Sequence, residues 1–213
     1  MRKTVCYIGI AVVGLLVSAQ TARADDPPAI KKFVNTKDGR TAKILENYID
    51  FSFDYPAHWK IVEAGENTSN FVKVERSIGE GQDSLPQENF TVSNFSGSGN
   101  AEADKKLIPQ FIAQLEEGFK KGFAKYKKTS EGATKFGAYK GTELRFTSKM
   151  EHPEKGPIQY WGRLVVIPNP RGGKKGAMVL LLATSLCPDL KEEKDLGVKG
   201  ELPVIIKSFK FGK

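Results

Sequence analysis

Three stretches that read as long strands, residues 139–150, 158–168 and 176–185, are separated only by residues 151–157 and 169–175. Connections this short close antiparallel hairpins, because a parallel pair needs a crossover of a dozen or more residues. The C-terminal half of the chain is therefore bound to an antiparallel sheet. Residues 177–183 are apolar without a break, which predicts a central strand covered on both faces.

Upstream, Ile49, Phe51, Phe53 and Tyr55 alternate with Asp50, Ser52 and Asp54, the period of a strand with one apolar face. Pro56 ends that strand, and residues 57–62 read as a turn into a second short strand, with Trp59 packed on the first. Further strands are expected at 71–77 and 90–95, divided by a loop containing Gly79, Gly81, Asp83 and Pro86. From about Asp104 to Lys128 the apolar residues Leu107, Ile108, Phe111, Ile112, Leu115, Phe119, Phe123 and Tyr126 fall at helical spacing. Pro109 predicts a helix start there or a kink. Leu202, Ile205, Ile206 and Phe209 predict a short closing helix, with Pro203 in its first turn. The sum is an α+β domain with a central antiparallel sheet of about six strands flanked by helices.

The run Ile49-Asp50-Phe51-Ser52-Phe53-Asp54-Tyr55-Pro56-Ala57-His58-Trp59-Lys60 resembles the opening signature of the PsbP-like family: an aromatic-rich strand, Tyr-Pro, a short turn and Trp. The mid-chain helix, the strand Gly141-Thr142-Glu143-Leu144-Arg145-Phe146 and a terminal helix ending in Ser208-Phe209 follow in the family's order. The resemblance spans residues 42–211 and implies an α/β/α sandwich around an antiparallel sheet. The family's roles are mostly binding roles, in an extrinsic subunit of the photosynthetic oxygen-evolving complex, in a Ran-binding import factor and in exported bacterial proteins. It implies a non-enzymatic binding or assembly module.

Arg2 and Lys3 precede an uncharged apolar stretch at 5–17, and Ala22-Arg23-Ala24 has the small residues of a signal-peptidase site. A membrane span needs about 20 apolar residues, and Ser18, Gln20, Thr21 and Arg23 interrupt this one. The organisation expected is a secretory signal peptide at 1–24, an extended N-terminal tail at 25–39 and a single domain at 40–213, with no transmembrane segment in the mature chain. Export to the periplasm or outside the cell follows, or to the thylakoid lumen in a photosynthetic host. Cys6 would leave with the signal, so Cys187 has no partner for an intramolecular disulfide. Loss of Arg2, Lys3 and Arg23 lowers the formal charge from +8 to about +5, a mild attraction to anionic surfaces.

The histidines are His58 and His152, and neither sits at metal-ligand spacing. Glu151, His152 and Glu154 share a hairpin loop and His58 flanks another turn, which makes these four the candidate metal ligands; no cofactor is expected. No G-x-S-x-G surrounds Ser96 or Ser98, and Gly97-Ser98-Gly99 reads as a linker. Gly172-Gly173-Lys174-Lys175-Gly176 lacks the frame of a phosphate loop and reads as a flexible hairpin tip. Lys105, Lys106, Lys120, Lys121, Lys125, Lys127 and Lys128 give the long helix a positive outer side, for an anionic envelope surface, an unknown acidic protein partner, or solubility alone. Aromatics do not interleave with these lysines, so no nucleic acid partner is expected. The alternatives are a small-ligand or metal-binding periplasmic domain, with its pocket near Trp59, His58 and the His152 loop, and an unrecognised hydrolase.

Overall fold

A computed structural model of the protein describes residues 29–62, 70–79 and 84–212. The expected signal peptide lies outside them. Its strands are β1 (Ile30–Val34), β2 (Phe51–Pro56), β3 (Lys60–Val62), β4 (Asn70–Ile78), β5 (Leu85–Gly99), β6 (Lys127–Phe136), β7 (Tyr139–His152), β8 (Gly156–Ile167), β9 (Gly173–Thr184) and β10 (Lys210–Phe211). The helices are α1 (Ala42–Glu46), α2 (Ala101–Gly122) and α3 (Leu202–Ser208), with a 3-10 turn at Glu193–Asp195. Seven strands form one antiparallel sheet in the order β3-β4-β5-β9-β8-β7-β6, and β1-β2-β10 form a second. None of the described helices is long and apolar enough to cross a membrane.

Alternation along the central strands divides the core in two. Phe90 and Val92 of β5, Val165 and Ile167 of β8, and Val179 and Leu181 of β9 point to one face. There they meet Phe51 and Phe53 of β2, Ile205 and Ile206 of α3, and Phe209. The rings of Phe53 and Phe90 meet edge to face at 4.9 Å. On the other face Phe95, Leu144, Leu164 and Val166 receive Ile108 and Ile112 of α2, with Phe111, Leu115 and Phe119 packed alongside. Strand β9 is thus central and covered on both sides, as its unbroken apolar run predicts.

The fold is α+β, with three differences from the sequence expectation. The large sheet has seven strands, in keeping with about six, but its membership differs: β2 pairs in the small sheet instead, and β6 is an unexpected edge strand because it carries no apolar alternation, its side chains being exposed or half-buried until Phe136. Only its first two residues overlap the expected helix, and the rest falls between the expected elements. Phe123 and Tyr126 do fall at helical spacing, but the helix stops at Gly122, and both rings pack on Phe146 at 5.1 and 5.2 Å after the chain turns through Lys125 (φ 52°).

The second difference is the helix start. Asn100 caps α2, its side-chain oxygen accepting from the N–H groups of Glu102 and Ala103, so Pro109 lies inside the helix rather than at its head. The cap overrides the proline because two orphan donors are satisfied at the true terminus. Gly97-Ser98-Gly99 is the end of β5 and not a linker: buried Asp104 accepts from both the Ser98 N–H and its hydroxyl at 2.7 Å, and a side chain on Gly97 would press into that carboxylate.

Third, the segment expected as an N-terminal tail holds β1, paired antiparallel with β2 from Ile30↔Pro56 to Val34↔Ser52. Its alternation is weak because β1 is an edge strand that buries only part of Phe33. The face opposite α2 is therefore covered by a small sheet together with α3, rather than by helices alone. Ser208 fastens the two, accepting from the Asp54 N–H at 2.8 Å and donating back to Val204 O.

Candidate interaction surface

Trp59 is buried in the same core cluster as Phe51, Phe53 and Tyr55 of β2, and its ring N–H donates to Glu201 Oε2 at 2.5 Å. The same oxygen lies 3.0 Å from His58 Nε2 and 3.7 Å from Arg76 Nη1. Arg76 is the hub: Nη2 lies 2.9 Å from Glu88 Oε2 and 3.5 Å from Asp189, and it donates to Cys187 Sγ at 3.0 Å. Burial pushes the Glu88 carboxyl up, by more than Arg76 and the backbone amides of Glu201 and Leu202 bring it down. The guanidinium loses to burial as well, but Glu88, the Cys187 sulfur and Glu201 together hold it above its ordinary value. The partners differ because Glu88 is fully enclosed and has one cation, whereas Arg76 is partly open and faces several acceptors. Burial, then the Glu88 charge, pushes the Cys187 thiol up, which keeps it protonated and a poor nucleophile. This junction ties β4, β5, the β2–β3 turn and the start of α3 into one body.

The His152 loop is satisfied locally. His152 Nδ1 accepts from the N–H groups of Glu154 and Lys155 at 3.2 and 3.3 Å, and Glu151 pairs with Lys125 at 3.3 Å. His58 is engaged with Glu201 instead. Among the described residues no group of three or more His, Cys, Asp or Glu side chains is placed to hold a metal ion, so His58, Glu151, His152 and Glu154 do not form one site.

A second ion cluster was not legible in the sequence. Glu143 on β7 lies 2.7 Å from Arg163 on β8 and 3.1 Å from Arg145, and it accepts from Thr134 of β6. Arg145 reaches Glu193 of the 3-10 turn at 3.2 Å. Burial acts to raise the Glu143 carboxyl, but the two guanidiniums and Thr134 outweigh it and hold the group below its ordinary value. The residues sit in register, since Arg145 faces Arg163 directly across the ladder, and only a known pairing reveals that they meet.

The lysines of the long helix and the strand after it are largely neutralised by their own neighbours. Lys105 pairs with Glu102 at 2.6 Å, and Lys120 with Glu117 at 2.8 Å and Glu116 at 3.5 Å. Lys128 bridges Glu116 at 3.1 Å and Glu131 at 2.5 Å. Lys106, Lys121 and Lys127 are left over from the expected positive side.

Unpaired positive charge gathers elsewhere, at the end of the sheet where β6 turns into β7 and β8 into β9. Lys135 and Lys140 face each other directly across the β6–β7 ladder. The β8–β9 tip adds Arg171, Lys174 and Lys175, and pairs with the end of β5 through Lys175↔Ser96 and Gly173↔Gly99. The C-terminal segment closes the end: Lys207 follows Ile206, whose carbonyl lies against Gly137 in the β6–β7 turn, and Lys210 pairs with Ser52. A side chain on Gly137, which has φ 56°, would strike that carbonyl. Arg171 Nη2 donates to Gly212 O, and the Phe211 N–H to the Tyr139 hydroxyl at 3.0 Å. All seven basic side chains are exposed, and among the described residues none has a carboxylate within ion-pair distance.

Two shallow concavities open there, one of about 430 Å³ bounded by Thr134, Lys135 and Lys140, the other of about 400 Å³ between Ala138–Lys140 and Pro168–Pro170. Lys140 lines both. A third, of about 380 Å³, lies beside Arg40, Ile61 and Phe71, but its guanidinium is spent on the loop itself, donating to Phe71 O, Asn35 Oδ1 and Thr36 O. None of the three is lined by Trp59, His58 or His152.

No family model matches the chain, and no curated protein does. Solved structures that it is similar to include cyanobacterial PsbP (CyanoP) from Synechocystis, at 13% identity over 91% of this chain and 99% of that one, with a TM-score of 0.49. LpqN of Mycobacterium tuberculosis, described as involved in cell envelope biogenesis, is 14% identical over 86% and 92%, with a TM-score of 0.46. The Ran-binding protein Mog1p of Saccharomyces cerevisiae is 11% identical over 75% and 89%, with a TM-score of 0.37. At these values the likenesses concern the path of the chain and say nothing of what this protein binds.

Proposed function

We propose that the protein is an exported, non-enzymatic binding or assembly module that docks through its hairpin end on an anionic partner. The observation that carries this reading is the collection of unpaired basic side chains at one end of the sheet, in contrast to a helix side whose lysines are mostly paired. Lys135 and Lys140 are the telling pair, because like charges placed directly opposite in a ladder destabilise it. A ligand that supplies negative charge at this point relieves that repulsion. What this end offers is charge rather than a nucleophile with its base, which favours binding over turnover.

Retention on a polyanion matrix tests the reading. Two variants of equal net charge are compared with the native chain: one with Lys135, Lys140, Lys174 and Lys175 changed to Gln, the other with Lys105, Lys106, Lys120 and Lys121 changed to Gln. The hairpin-end variant is expected to elute at clearly lower salt, and the helix variant close to the native chain. Equal shifts would mean that charge number alone matters and that the end is not a site. Turnover of a substrate by the purified chain would contradict the non-enzymatic part.

A further inference from the structure

Resting on that reading, we infer that the partner of the hairpin end is the surface of an anionic lipid bilayer. The charges come from the tips of three separate units: Lys135 and Lys140 from the β6–β7 hairpin, Arg171, Lys174 and Lys175 from the β8–β9 hairpin, and Lys207 and Lys210 from the C-terminal segment. They are spread over an end of the domain and do not converge on one point, and the concavities between them are open and shallow. A single small anion would engage few of them. A plane of phosphates engages all that reach it, without demanding a matched shape.

The residue types point the same way. Interfaces with folded proteins are depleted in lysine at their cores and anchored by large aromatic side chains in fitted pockets. Here lysine dominates, and the protruding turns are made of Gly137-Ala138 and Pro170, Gly172 and Gly173, small residues that let backbone and ammonium groups approach headgroups closely. Gly172 and Gly173 both have positive φ, at 79° and 104°, so the tip is shaped by residues without side chains to hold the lysines away from the plane. Two carboxylates lie beside this end: Asp50, exposed and set against Gly212, and Asp104, buried and taken up by the Ser98 N–H and hydroxyl under the strand end that pairs with the tip.

Each basic residue brought to an anionic leaflet strengthens binding roughly fivefold, and the attraction decays within a Debye length of about 8 Å at physiological salt. Losing four such residues then weakens binding by roughly several hundredfold.

The test is co-sedimentation of the purified chain with vesicles of phosphatidylcholine alone and of equal phosphatidylglycerol and phosphatidylcholine, at low and physiological salt. Binding is expected on the phosphatidylglycerol vesicles only, weakened by salt, and lost several hundredfold in the K135Q/K140Q/K174Q/K175Q variant. The K105Q/K106Q/K120Q/K121Q variant is expected to lose far less, and thermal melting of both variants guards against misfolding. If the native chain fails to bind these vesicles, the bilayer inference is overturned. If polyanion retention then still depends on the hairpin-end lysines, the docking reading stands and an acidic protein replaces the membrane as the partner. Absence of both effects overturns both. Equal losses in the two variants also overturn the inference, since position would then not matter.

Discussion

The helix side and the hairpin end each present seven basic residues, yet four of the seven on the helix side are ion-paired and none of the seven at the hairpin end is, among the described residues. On α2 the i,i+3 and i,i+4 spacings bring Glu102, Glu116 and Glu117 to Lys105 and Lys120, and the adjoining β6 folds Lys128 onto Glu116. At the hairpin end the nearest cross-strand neighbour of Lys135 is another lysine, and that of Lys175 is Ser96. A count of lysines therefore does not tell the two faces apart. Pairing geometry, and not composition, decides where a basic chain can meet an anion.

The most severe break of this comparison is the fourfold neutralisation at the hairpin end, where a several-hundredfold loss of vesicle affinity is expected against a small change for the matched helix variant. Next, the helix should prove to be architecture. Ile112→Ala, which empties a fully buried site between α2 and the sheet, is expected to cost about 2–5 kcal/mol in urea unfolding while leaving the salt dependence of vesicle binding unchanged.

A comparable stability effect is expected where the sheet beneath the hairpin end is locked. Glu143→Gln leaves Arg163 buried without its carboxylate, at a cost of about 3–5 kcal/mol. Because the native carboxyl is held below its ordinary value, its contribution is fully present above the ordinary glutamate value of 4.5 and is lost as pH falls through the lowered one. Unfolding free energy measured from neutral to acid pH should fall more steeply in that window for the native chain than for the variant. An equal slope would assign the acid sensitivity to other groups.

Two smaller effects sharpen the contrast. Glu116→Gln removes the shared partner of Lys120 and Lys128, but each keeps a carboxylate, Glu117 at 2.8 Å and Glu131 at 2.5 Å, and that side does not face the bilayer, so vesicle affinity is expected to stay within about twofold of the native chain. Lys140→Glu turns a like-charge cross-strand pair into an opposite one. It should raise stability by about 0.2–1 kcal/mol and yet weaken vesicle binding, a combination that chemical denaturation and co-sedimentation read separately.

Much of the fold was legible because it rests on periodicity. The unbroken run of β9 and the short loops of the C-terminal half map onto the large sheet as the sequence implied, and the alternation through Phe51, Phe53 and Tyr55 does form a strand, though in the small sheet rather than the central one. Strand β6 was not, since an edge strand exposed on both faces has no apolar period to read, and Phe123 and Tyr126 imitate a helix that had already ended. The start of α2 was missed for a related reason: Pro109 is a louder signal than Asn100, but capping hydrogen bonds fix the terminus.

The surface was less legible than the core. The Gly172–Gly176 tip was recognised as a basic turn, but nothing in the sequence sets it beside Lys140 or Lys207, because those neighbours are made by register and by the approach of Ile206 to Gly137. Likewise His58 and Trp59 are neighbours in the sequence, while Glu201, which binds both, is more than a hundred residues away. Long-range partners of exposed charges leave no local trace.

The most direct test of the account is lysine acetylation footprinting of the native chain, free and bound to phosphatidylglycerol vesicles. Protection is expected at Lys135, Lys140, Lys174 and Lys175, with Lys106 and Lys121 equally reactive in both states. Protection of Lys106 and Lys121 with the hairpin-end lysines left reactive would contradict it.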